Sequence, residues 1–181
     1  MYCGNNKTAR TSQKNIACAL LELLEEKPFS RISVSELCKA AGISRQTFYS
    51  LFESKDNVIT YIFQENYCYS PEKDAEDFDG TDSLHQLCLG YSSYIIRQAD
   101  FIRLLVENNI IYLMYDGLLE SFSCCDCFLP HIQGDQRSYA ASFYAGSMTG
   151  IARTYIEQGE VLSQKELEDL TLSLFHNGFL Y

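Results

Sequence analysis

The residues of this 181-residue chain best equipped for chemistry gather in one short stretch. Ser44, Arg45, Gln46, Thr47, Tyr49 and Ser50 all carry hydrogen-bonding side chains, no carboxylate interrupts them, and Lys55 comes soon after. Hydroxyls, an amide and a guanidinium on one helix are groups that meet base edges and phosphate oxygens. A helix made only for solvent would more often carry Glu and Lys. Arg45 could read guanine through two hydrogen bonds, worth about 1–3 kcal/mol of discrimination. Lys55, in the first turn of a following helix, adds a cation beside backbone N–H groups that could hold a phosphate.

Other chemistries are thinly represented. His85, His131 and His176 fall in no metal-binding or nucleophile motif, so no catalytic residue emerges and the chain reads as a non-enzyme without metal or cofactor. Of eight cysteines only Cys124, Cys125 and Cys127 cluster, with His131 four residues on. A structural zinc site usually needs two ligand pairs. The patch therefore reads as a redox or soft-metal site, or as a helix end with solvent-facing thiols. Cys18 and Cys38 fall on apolar faces and read as small core residues. Asp116 and Glu120, one turn apart near Tyr112 and Tyr115, would suit a cationic ligand or form a solvated acidic face.

Helices must position these groups. Apolar residues recur at 3–4 spacing from Thr11 to Glu26, stopped by Pro28. Ser33 and Glu36 have capping-box spacing at the start of a short helix carrying Val34, Leu37, Cys38 and Ala41. Gly42 suits the left-handed turn after it. Ser44 can cap a third helix, Arg45 to Phe52, with Phe48, Leu51 and Phe52 inward, and Ser54 a fourth running to about Tyr69. Residues 33–52 thus have the spacing of a helix-turn-helix, whose second helix enters the major groove.

Residues 70–83 are polar and acidic and read as a loop. Further helices are expected near 82–97, 100–108, 110–123, 135–158 and 164–176, with a second capping box at Ser163 and Glu166. Strand signals are weak. The expected fold is all-α, about nine helices: a helix-turn-helix domain over 1–56, linked by the helix from 54 to a helical body over 57–181. No apolar run approaches the roughly 18 residues of a membrane helix. The opening residues lack a secretion signal, and the chain reads as cytoplasmic with reduced thiols. Net charge is −10, which alone argues against nucleic acid. Its distribution reverses that: residues 1–55 hold eight bases and five acids, the remainder six bases and nineteen acids.

Thr47-Phe48-Tyr49, followed by Phe52, Ser54 and Lys55, resembles the signature of the tetracycline-repressor (TetR) family of bacterial transcription regulators. Residues 32–44 are similar to that family's first motif helix and turn, and the likeness covers roughly residues 10–63. From Gly150 to the last helix the chain is similar to a C-terminal domain type frequent in Gram-positive members. The resemblance implies that Tyr49 and Lys55 grip phosphates with Thr47 beside them, and that Arg45, Gln46 and Ser50 face the bases. It also implies that Ser33 touches phosphate, as Lys7 and Arg10 could. Ser44 completes the DNA-binding set. Implied partners are double-stranded operator DNA, a small-molecule effector and a second copy of the chain. The implied function is a repressor released by its effector; the alternative is a coactivator of the same fold acting through a protein.

In the body, Tyr91, Tyr94, Phe101, Leu105, Tyr112, Tyr115 and Phe143 either line an apolar effector pocket or fill the core. Ser142, Gly146 and Gly150 on one helix, with Leu167, Leu170 and Leu174 on the next, could form half of an intermolecular four-helix bundle or pack within one subunit.

Overall fold

A computed structural model describes residues 6–66, 80–124, 132 and 134–176; among these, nine α-helices and one 3-10 turn form and no strand. The chain divides into two compact units, Met1–Asn66 and Tyr67–Tyr181. The first holds α1 (Lys7–Glu26), α2 (Val34–Ala40), α3 (Arg45–Leu51) and α4 (Lys55–Asn66). The second holds α5 (Gly80–Arg97), α6 (Ala99–Glu107), α7 (Tyr112–Cys124), α8 (Asp135–Glu157) and α9 (Gln164–His176).

In the first unit α1 packs on α2 and α4, and α2 on α3. Ile16 and Leu20 of α1, Leu37 of α2, Phe48 of α3, and Val58, Ile59 and Phe63 of α4 are all fully buried. That shared core makes α4 part of the first unit, so the division falls at its end rather than within its first turn. α1 begins at Lys7, four residues before the expected start at Thr11, because Asn6 Oδ1 accepts from the Thr8 N–H at 2.9 Å. Cys18, expected in the core, is exposed; Cys38 is buried.

The turn between α2 and α3 stems from Gly42, whose φ of +65° costs glycine nothing. The Gly42 N–H bonds to Lys39 O and the Ile43 N–H to Cys38 O, closing the last turn of α2. Ser44 then caps α3: its Oγ accepts from the Thr47 N–H at 3.0 Å. A 3-10 turn at Phe29–Arg31, which no sequence signal announced, leads into α2.

In the second unit α7 packs on α8, α5 on α9, and α6 on α8 and α5. Its core takes Tyr91, Tyr94 and Ile95 from α5, Ile102 and Leu105 from α6, Met114 and Phe122 from α7, and Met148 from α8. α5 starts at Gly80, inside the stretch expected as loop. The Ser163–Glu166 capping box forms as its spacing predicts, with the Ser163 N–H donating to Glu166 Oε2 at 2.8 Å. Helix 4 is described to Asn66; its expected continuation to Tyr69, and Cys125, Cys127 and His131, lie outside the described residues. No described helix is long and apolar enough to cross a membrane.

Candidate nucleic-acid interface

Two buried residues of α3, Phe48 and Leu51, anchor it, and the rest of the helix is left outward. Arg45, Gln46, Tyr49 and Ser50 are exposed and Thr47 is half-buried. The Tyr49 ring stands edge-on to Phe48, centroids 5.4 Å apart, which orients a side chain that is otherwise half in solvent. Its hydroxyl, the Arg45 guanidinium and the Gln46 amide have no hydrogen-bond partner among the described residues. The hydroxyls nearby are partly committed. Ser50 Oγ donates to Thr47 O at 2.7 Å, and Ser44 Oγ and Thr47 Oγ1 lie 2.9 Å apart. The outer face thus offers free donors at Arg45, Gln46 and Tyr49, and spare acceptor lone pairs at Ser44, Thr47 and Ser50.

Ser33 sits at a different helix start, capping α2 through a 3.2 Å bond from the Glu36 N–H. Only half of the expected capping box forms there. The Glu36 carboxylate turns instead to the Lys27 ammonium, which ties the end of α1 to α2 and holds the Glu36 carboxyl below its ordinary range.

Lys55 does not join the outer set. Its ammonium donates to the carbonyl oxygens of Phe29 and Ile32, the latter at 3.0 Å, and lies 4.1 Å from the centre of the Phe29 ring. The sequence pattern could not reveal this, because the carbonyls that capture Lys55 belong to the first residue of the unannounced 3-10 turn and to the residue that ends it.

In the second unit, Tyr91, Tyr94, Phe101 and Leu105 are buried, whereas Tyr112 is 52% exposed. Tyr91 donates to Met148 O, and the Tyr115 hydroxyl lies 2.8 Å from Ser142 Oγ. Ser142 therefore faces α7 of its own chain, as does Gly146, where an added Cβ would lie 3.9 Å from Tyr115. Phe143 is placed elsewhere than in an interior pocket. It is 61% exposed and meets Phe175 of α9 edge-to-face, centroids 6.1 Å apart. It lines a groove of about 440 Å³ between α8 and α9, together with Gly150, Leu167, Leu170 and Leu174. Asp116 and Glu120 are exposed. Buried Glu168 bonds His85 Nε2 at 2.9 Å across α5 and α9, and burial beside it pushes the Cys88 thiol up to about 12.

The first unit matches known proteins in sequence. Residues 16–62 match the bacterial regulatory proteins of the tetR family. Over 164 residues the chain is 26% identical to the HTH-type dhaKLM operon transcriptional activator DhaS of Lactococcus lactis, covering 88% of this chain and 87% of that one. Over 57 residues it is 47% identical to the HTH-type transcriptional regulator EthR of Mycobacterium tuberculosis, covering 29% of this chain and 26% of EthR. The fold is similar to that of Lin0861 from Listeria innocua, with a TM-score of 0.73 at 15% identity over 94% of this chain and 92% of that one. The helix-turn-helix that turns a donor-rich, acid-free face outward thus lies within residues 16–62, the stretch that matches the bacterial regulatory proteins of the tetR family.

Proposed function

We propose that the chain occupies a palindromic operator as a homodimer, reads it with α3, and leaves it when a small-molecule effector binds the second unit, acting as a cytoplasmic repressor. The single observation that carries this reading is the outer face of α3: free donors at Arg45, Gln46 and Tyr49 above an anchored, acid-free helix. Arg45, Gln46 and Ser50 take base edges, Tyr49 and Thr47 take phosphates, and Ser33 and Ser44 sit at the helix starts beside them. Lys55 is left out of the proposed phosphate set, a choice its inward bond to Ile32 O supports.

A second copy is the proposed occupant of the α8–α9 groove. Its lining is apolar, and Phe143 and Val161 stand 61% and 72% exposed there, surface that a helical pair from another subunit would cover. The interface set becomes Gly150, Leu167, Leu170 and Leu174 with Phe143, while Ser142 and Gly146 serve packing within the chain. The effector site is proposed around Tyr91, Tyr94, Phe101, Leu105 and Tyr115. Ser92, fully buried on α5, has no hydrogen-bond partner for its hydroxyl among the described residues, and a ligand's polar group would supply one. The ligand acts only if it prefers one of two conformations.

A gel shift with DNA from upstream of the chain's own gene tests the reading. A retarded band that disappears in Arg45→Ala supports it; an unshifted fragment would point to the coactivator that works through a protein. A second output is favoured by one observation: the relative matched over 88% of the chain is named an activator. A reporter fused to the bound promoter separates the two, since deleting the gene raises expression from a repressed promoter and lowers it from an activated one.

A further inference from the structure

An ammonium has three N–H donors. At Lys55 two carbonyls, of Phe29 and Ile32, and the face of the buried Phe29 ring account for all three. Burial holds this lysine below its ordinary pKa, a cost that a solvated cation awaiting a phosphate would not bear. The chain positions joined are informative. Ile32 stands just before α2 and Lys55 opens α4, so a bond between residues 23 apart closes a ring around the whole α2–turn–α3 segment. Without that closure the two ends of the motif are joined only through the chain and the packing of Phe48 and Leu51.

We propose that Lys55 is a positioning residue for DNA recognition: its ammonium closes the helix-turn-helix into a ring and fixes the pose of α3, without itself touching phosphate. This rests on the DNA-binding reading of the first unit.

The test compares the full-length wild type with Lys55→Met and Lys55→Arg, each held below its melting temperature, on a duplex enriched by the wild-type chain from a random-sequence pool. Lys55→Met binds roughly tenfold or more weakly, as expected for losing charge-assisted hydrogen bonds, yet keeps the wild-type slope of log affinity against log salt. Lys55→Arg, which retains donors for both carbonyls, recovers most of the loss. Amide correlation spectra of the DNA-free protein show shifts along α3, from Arg45 to Leu51, in Lys55→Met. If that variant fails to fold, Lys55→Gln carries the same readouts. A salt slope lower by about one unit would place Lys55 on phosphate. Unmoved α3 amides would remove the positioning role, and either result overturns the proposal. Should the wild type enrich no duplex, the DNA reading fails by itself, while the α3 amides still report whether the ring sets the helix pose.

Discussion

Two kinds of residue share α3, and their substitutions should fail in different ways. Phe48 is fully buried, so Phe48→Ala should cost about 3–5 kcal/mol of stability in the first unit, measured by denaturant unfolding. Arg45→Ala leaves the core untouched. It should relax preference at one base position by about 1–3 kcal/mol, seen when the variant selects from random duplexes. Selection of an unchanged motif would remove Arg45 from base reading. Tyr49→Ala should weaken all duplexes alike and lower the salt slope by about one unit, the signature of a lost phosphate contact. In the second unit, Ser92→Ala removes a buried hydroxyl that lacks a protein partner. The effector-free chain should therefore melt no lower, and about 1 kcal/mol of stability could be gained, while response to the effector weakens. The outward set was legible in the sequence because its composition, donors without acids, is itself the signal. Lys55 was not, since a lysine's direction depends on whichever carbonyls come within reach, and Phe29 and Ile32 are remote in sequence.

Helix starts and stops were legible wherever a local motif fixes them. Gly42, Ser44 and the Ser163–Glu166 pair do what their spacing implies. Faces were harder. α8 carries small or apolar residues on several sides, so its sequence alone could not say that Ser142 turns to α7 while Phe143 turns to α9. The ion pair at Glu36 also replaced half of a local motif, because an ammonium attracts a carboxylate more strongly than a neutral N–H does. That pairing gives the first unit a pH dependence. The Glu36 carboxyl is held low by the Lys27 hydrogen bond, so the folded state binds its proton less readily than the unfolded chain. The stabilisation is complete above the ordinary glutamate value of about 4.3 and is lost as acid is added below it. Melting of the first unit should fall with acidification, more steeply in the wild type than in Glu36→Gln. Parallel curves would mean the pair contributes nothing.

At the scale of the whole molecule, a two-fold operator requires two reading helices spaced to meet successive major grooves, about 34–36 Å apart. Leu170→Asp places a charge in the α8–α9 groove and should yield a monomer by sedimentation. Operator affinity should fall at least tenfold, because a single head meets only one half-site. A dimer that survives this change would move the subunit contact elsewhere. The first unit has its own core, and its two lysine ties close among residues 27–55. A head braced from inside asks little of the body attached to it. Grafted onto an unrelated pairing scaffold, it should keep its address on the genome while answering to a different chemical signal.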